Sequence, residues 1–96
     1  MREVFLVSAD HKSKVEDMLK KDDEINRGSI TVRSASSLDI KEDGYFIILD
    51  ASEERVHKAK ELVKEYAQPY KHAKRVLEKI DAQEESAIEG FGNILG

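Results

Sequence analysis

The chain predicts an α+β fold, a two-layer sandwich in which a three-stranded, mainly antiparallel sheet carries helices on one face. The order is β-α-β-β-α followed by a C-terminal helix. Three observations point there. Short runs rich in β-branched and aromatic residues alternate with longer segments whose apolar residues recur at helical spacing. Between the last two of the short runs a polar stretch leads to the turn signal Glu42-Asp43-Gly44, which makes them a hairpin. With 96 residues the chain can bury enough surface for one core but too little for two. Residues 1–88 therefore read as a single domain and 89–96 as a flexible C-terminal tail, with a ferredoxin-like fold lacking its last strand as the alternative.

Val4-Phe5-Leu6-Val7 is short, largely apolar and partly β-branched, the signature of a buried first strand. Asp10 then stands where an N-cap is wanted, and Val15, Met18, Leu19 and Ile25 mark a helix over about residues 11–24, stopped by Asn26-Arg27-Gly28. Ile30 and Val32 alternate with Ser29, Thr31 and Arg33, the period of a strand with one wet face. The stretch 35–41 is polar except for Leu38 and Ile40. Tyr45-Phe46-Ile47-Ile48-Leu49 is apolar on both faces and belongs in the centre of the sheet. Asp50 or Ser52 can cap a second helix, with Glu53 and Glu54 favoured by its dipole. Its stripe is Val56, Ala59, Leu62, Val63, Tyr66 and Ala67. Gln68-Pro69 breaks that helix, and a third is expected to start at Pro69 with the stripe Tyr70, Ala73, Val76, Leu77 and Ile80, extending toward Ala87 and Ile88.

Composition removes several classes of function. Zero cysteines exclude disulfides, thiolate metal sites and cysteine nucleophiles. The longest uninterrupted apolar run falls far short of a membrane span, and Met1-Arg2-Glu3 does not begin a signal peptide, so a cytoplasmic protein is expected. Lys and Glu dominate a charged fraction of 38%, with one proline, a balance that leans towards a thermophile source.

One segment stands out against the net charge of −4: residues 55–79 hold eight basic side chains and only Glu61, Glu65 and Glu78 as acids. On the third helix Lys71, Arg75 and Lys79 fall at successive i,i+4 positions with Lys74 beside them, a self-repelling arrangement that suits an anion-binding face for RNA or an acidic protein. The competing reading is a solvated helix face partly compensated by Glu65 and Glu78. The apolar stripe Tyr70, Ala73, Val76, Leu77 and Ile80 needs a surface as well: the open face of the sheet, helix 2, or a second copy in a structural or assembly role.

Other groupings carry less. Glu53, His57, Glu61 and Glu65 share a helical stripe, but such stripes arise by chance on Glu- and Lys-rich helices, and no metal is assigned. Ser8, Asp10 and His11 have the residue types of a hydrolytic triad, yet lie too close together at a strand–helix junction, and are read as capping residues. Asp22-Asp23-Glu24 and the acids at 81, 84 and 85 lack the spacing of a calcium loop. No glycine pattern suits a dinucleotide or a P-loop, so no cofactor and no enzymatic activity are expected.

Residues 44–64, with their apolar strand, small-residue turn, acidic helix start and Ala59-Lys60-Glu61-Leu62 pattern, resemble the last strand and closing helix of a K-homology domain. The order strand, helix, strand, strand, helix over residues 4–65 is similar to the same family. The resemblance implies single-stranded nucleic acid as a ligand, gripped in that family by a Gly-x-x-Gly loop. The corresponding stretch here, residues 16–22, has no glycine. The expectation is thus a degenerate, non-enzymatic binding module, monomeric or homodimeric.

Overall fold

A computed structural model describes residues 1–83, so the expectations for Ala87, Ile88 and the 89–96 tail lie outside the described residues. The elements are β1 (Arg2–Val7), α1 (Lys12–Lys21), β2 (Ser29–Ser34), β3 (Tyr45–Asp50), α2 (Glu53–Val63) and β4 (Ala67–Pro69). A third helix, α3, covers residues 73–83 of the described chain. The sheet has four strands in the order β2-β3-β1-β4, every neighbouring pair antiparallel. The α+β class expected from the sequence holds; the three-stranded K-homology arrangement does not, because a fourth strand closes the far edge.

That strand is the piece read as a helix break. The residue before a proline favours extended backbone, and Ala67-Gln68-Pro69 pairs with Val7, Leu6 and Phe5. The Tyr70 amide donates to the Val4 carbonyl at 2.8 Å, which leaves Pro69, opposite Phe5, at a position whose missing N–H would have faced away from β1. Proline thus ends a strand here, and α3 starts at residue 73, with the His72 carbonyl accepting from the amides of Arg75 and Val76 at 3.1 and 3.3 Å.

β3 is apolar on both faces because both are covered. Phe5, Val7, Ile47 and Leu49 pack on Val15 and Leu19 of α1 and on Val56, Ala59 and Val63 of α2. On the opposite face Val4, Phe46 and Ile48 pack on Val76 and Ile80 of α3 and on Ala35, Leu38 and Ile40 from the β2–β3 connection. The expected two layers are therefore three, with α3 forming a layer of its own. Leu38 and Ile40, the apolar exceptions in a polar stretch, anchor that connection. At its end Gly44 adopts φ +113°, and a Cβ there would collide with the Val7 carbonyl oxygen, so only glycine lets the hairpin pass the end of β1. Leu62, placed by periodicity on the buried stripe of α2, is exposed.

Helix 1 is also shorter than its periodicity implied. The Asp22 carboxylate accepts from the amides of Glu24 and Ile25 at 2.9 and 3.0 Å, which turns the chain into a separate 3-10 turn over Ile25–Arg27 and ends α1 at Lys21. No side chain caps the start of α1, so Asp10 does not play the part expected of it. Ser52 does cap α2, accepting from the Arg55 amide at 3.4 Å.

Two carboxylates are tied to distant elements. Asp22 is held below its ordinary value by the Ile25 amide and then by Lys58, whose ammonium lies 3.1 Å away, and Asp81 is lowered by Arg2 at 3.0 Å. In acid the unfolded chain binds protons at these groups more readily than the folded one. The stability they confer is thus present above the unfolded value of 3.8 and is lost as pH falls through the lower folded values. Thermal melts of wild type should drop through that acid range, and the double variant Asp22→Asn, Asp81→Asn should show a shallower decline. An equally steep decline in the variant would assign the acid sensitivity to other carboxylates.

Candidate functional site

The basic segment 55–79 divides in two once folded. The lysines of α2 and its end are paired: Lys58 with Asp22 and Glu24 at 3.1 and 3.4 Å, Lys60 with Glu3 at 3.0 Å, Lys64 with Glu61 at 3.4 Å. Lys71, Lys74 and Arg75 are exposed and Lys79 is half-buried, and none of the four forms an ion pair with a described residue. Exposed ion pairs add little stability. Their significance here is that they offset the charge of all three lysines on this side, Arg55 of α2 having no ion pair with a described residue, while none of the four cations around α3 is offset.

The path of the chain decides how those four cations are arrayed. Lys71 belongs to the turn between β4 and α3, not to the helix, so it does not stand one helical turn from Arg75 as the spacing suggested. Within α3 the i,i+4 pair is Arg75 and Lys79, with Lys74 beside them, and the like-charge cost is correspondingly smaller. Lys71 borders a groove of about 680 Å³ along β4, together with Tyr66, Tyr70, Glu42 and Asp43. Arg75 borders a cleft of about 410 Å³ with Tyr70, His72 and residues 39–42, and Lys79 a further one with Asp39 and Glu78. The cations thus run from the Lys71 turn along the first two turns of α3 beside an acidic loop.

Tyr70 fastens that corner. Its ring lies 4.9 Å from Phe46 and 5.7 Å from His72, and its hydroxyl donates to Glu42 at 3.3 Å. Burial first, and then the Glu42 charge, push the phenol above its ordinary value, while the positive charge of Arg75 pulls it the other way. The sequence marks Glu42 only as part of a turn, and nothing local in it shows that this loop faces the cations.

The stripe considered as a partner interface is seated on its own sheet. Val76 and Ile80 are buried there, and Tyr70, Ala73 and Leu77 pack around them. An interface through Val76 and Ile80 would require α3 to leave the sheet, so the stripe serves the fold.

The remaining groupings separate as follows. Among the described residues no three metal-ligating side chains converge, and Glu61 of the His57 stripe is engaged by Lys64. Ser8 and His11, contrary to expectation, do meet, with Oγ 3.1 Å from Nδ1, and the imidazole lies 5.2 Å from the ring of Tyr66. Among the described residues no carboxylate hydrogen-bonds to the other ring nitrogen, so Asp10 does not complete a triad. No helix among the described residues is long and apolar enough to cross a membrane.

Comparison of the chain with protein-family models, with curated proteins and with solved structures gives no match in any of the three.

Proposed function

We propose that this domain is a non-enzymatic binding module that holds an anionic partner, an RNA backbone first among them, against Lys71, Lys74, Arg75 and Lys79. The observation that carries the reading is the contrast in pairing: Lys58, Lys60 and Lys64 of α2 and its end have carboxylate partners, with Arg55 the exception on that side, while the four cations of the Lys71 turn and α3 have none among the described residues. Ammonium and guanidinium groups left in water are ready donors to phosphate oxygens, and each phosphate they neutralise releases a counterion.

The surroundings limit how such a partner would lie. Asp39, Glu42 and Asp43 repel an anion from the loop side, which directs it across the solvent side of α3 and the Lys71 turn. Beneath α3 the sheet presents Val4, Leu6 and Ile48, and its one aromatic, Phe46, is already covered by Tyr70. Base stacking therefore contributes little, and binding is tolerant of sequence and sensitive to salt. The frame has the element order and strand order of a ferredoxin-like domain with its fourth strand present. Such frames host many activities, so the proposal rests on the charges and not on the frame.

Titration of a fluorescent, mixed-sequence single-stranded RNA at low salt tests the reading. Binding that weakens steadily as salt is added is expected. No binding at low salt ends the RNA reading, and binding of an acidic peptide alone reassigns the partner to a protein.

A further inference from the structure

The two edges of the sheet are unlike. β4 is three residues long and ends on Pro69, so it gives an approaching strand little ladder to extend. β2 runs for six residues without a proline and carries one charge, Arg33. Its backbone parity follows from the ladder. The Ala35 amide donates to the Gly44 carbonyl at 3.1 Å, continuing the register that pairs Ser34 with Tyr45. Ser29, Thr31 and Arg33 therefore turn their backbone groups to β3, and Ile30, Val32 and Ser34 turn theirs to the open edge. Among the described residues the outward amides of Ile30 and Val32 have no acceptor. The outward carbonyl of Val32 is covered by the Arg33 guanidinium at 3.0 Å.

We infer that β2 pairs antiparallel with β2 of a second copy of this chain, joining two sheets into one continuous sheet about a two-fold axis at Thr31. Ile30 then stands opposite Val32 of the second copy, and the two residues exchange both backbone hydrogen bonds, twice over by symmetry. Their side chains, half-buried at the rim of the α1–α2 core, gain cover from each other.

Charge complementarity selects this arrangement. Ser29, Thr31 and Arg33 share a sheet face with their cross-strand partners Asp50, Ile48 and Phe46. The two-fold sets Arg33 opposite Ser29 of the second copy, whose own neighbour across the ladder is Asp50. With strands ~4.8 Å apart, the two backbones are ~9.6 Å apart, a gap that an extended Arg and an Asp span on one face. Asp50 is 57% exposed, with the N-terminal ammonium at 3.8 Å, and Arg33 has no carboxylate partner among the described residues. Pairing hands the Val32 carbonyl to an incoming amide and frees the guanidinium for that carboxylate. Of the two neighbouring in-phase registers, Val32 opposite itself would demand the Ser34 carbonyl, which already accepts from the Ser37 hydroxyl at 2.7 Å, and Ile30 opposite itself would demand the Gly28 amide, which already donates to the Ile25 carbonyl at 3.0 Å; both move Arg33 away from Asp50.

One strand pair with its flanks is small beside the roughly 2,000 Å² or more of permanent interfaces, so the dimer is weak and depends on concentration. Sedimentation equilibrium of the full chain, with amide exchange read at Ile30 and Val32, tests it. The mass is expected to climb from monomer towards dimer, with both amides gaining protection as concentration rises. Arg33→Asp and Asp50→Arg should each weaken association by roughly tenfold, the contribution of a charge pair counted twice by symmetry. The double variant carrying both should restore it. A monomer up to the solubility limit overturns the inference, as does a dimer whose Ile30 and Val32 amides exchange independently of concentration. Tighter association of Arg33→Asp overturns it too, by making Arg33 a guard of the edge.

Discussion

Val76→Asp is expected to destabilise the folded chain by about 4 kcal/mol or more, from a lost apolar burial of about 2 kcal/mol and a polar group buried without a partner at a similar cost. Val76 is fully buried between α3 and the sheet. For a domain whose whole stability is of order 5–15 kcal/mol, that loss removes a large share. The same substitution in an interface between copies would leave a stable monomer. Denaturant unfolding separates the cases: a midpoint shifted far below wild type is predicted, and an unshifted midpoint in a monomeric variant would return the stripe to a partner. Lys74→Asp, one helical position from half-buried Ala73 but itself exposed, serves as the control and should stay within about 0.5 kcal/mol.

Replacing Lys71, Lys74, Arg75 and Lys79 together by Gln is expected to abolish salt-dependent RNA binding while leaving the melting temperature nearly unchanged. Each phosphate contact on a single strand contributes about −0.7 to the slope of log affinity against log salt, so four contacts give wild type a slope near −3. The variant should show no slope because it should show no binding. The fold should tolerate it, since none of the four side chains is in an ion pair with a described residue. A variant that binds as wild type does would move the site elsewhere.

How much of this was legible in advance depends on whether the signal is local. Tyr45–Leu49 announces a central strand because both faces of a two-residue period are apolar, and Ser52-Glu53-Glu54 announces a helix start through its cap and its charges. β4 was illegible. Three residues show no alternation, and a proline reads as a break unless a neighbouring strand is known to stand beside it. The stripe of α3 was legible as needing a surface, but periodicity alone does not name that surface; the sheet wins because its second face, Val4, Phe46 and Ile48, was apolar too. The same holds for the charges. The cluster 55–79 is visible in the sequence, but Asp22 reaching Lys58 and Glu3 reaching Lys60 are long-range meetings made by folding. The Tyr70–Glu42 contact and the open edge of β2 belong to that class as well.

The central claim is that the cations around the start of α3 are the binding surface. The most direct test is a heteronuclear NMR titration of the labelled wild-type chain with a short mixed-sequence single-stranded RNA at low salt. Amide shifts confined to residues 70–80 that vanish on adding salt are the predicted result. Shifts centred on another surface, or none at all at low salt, would contradict it.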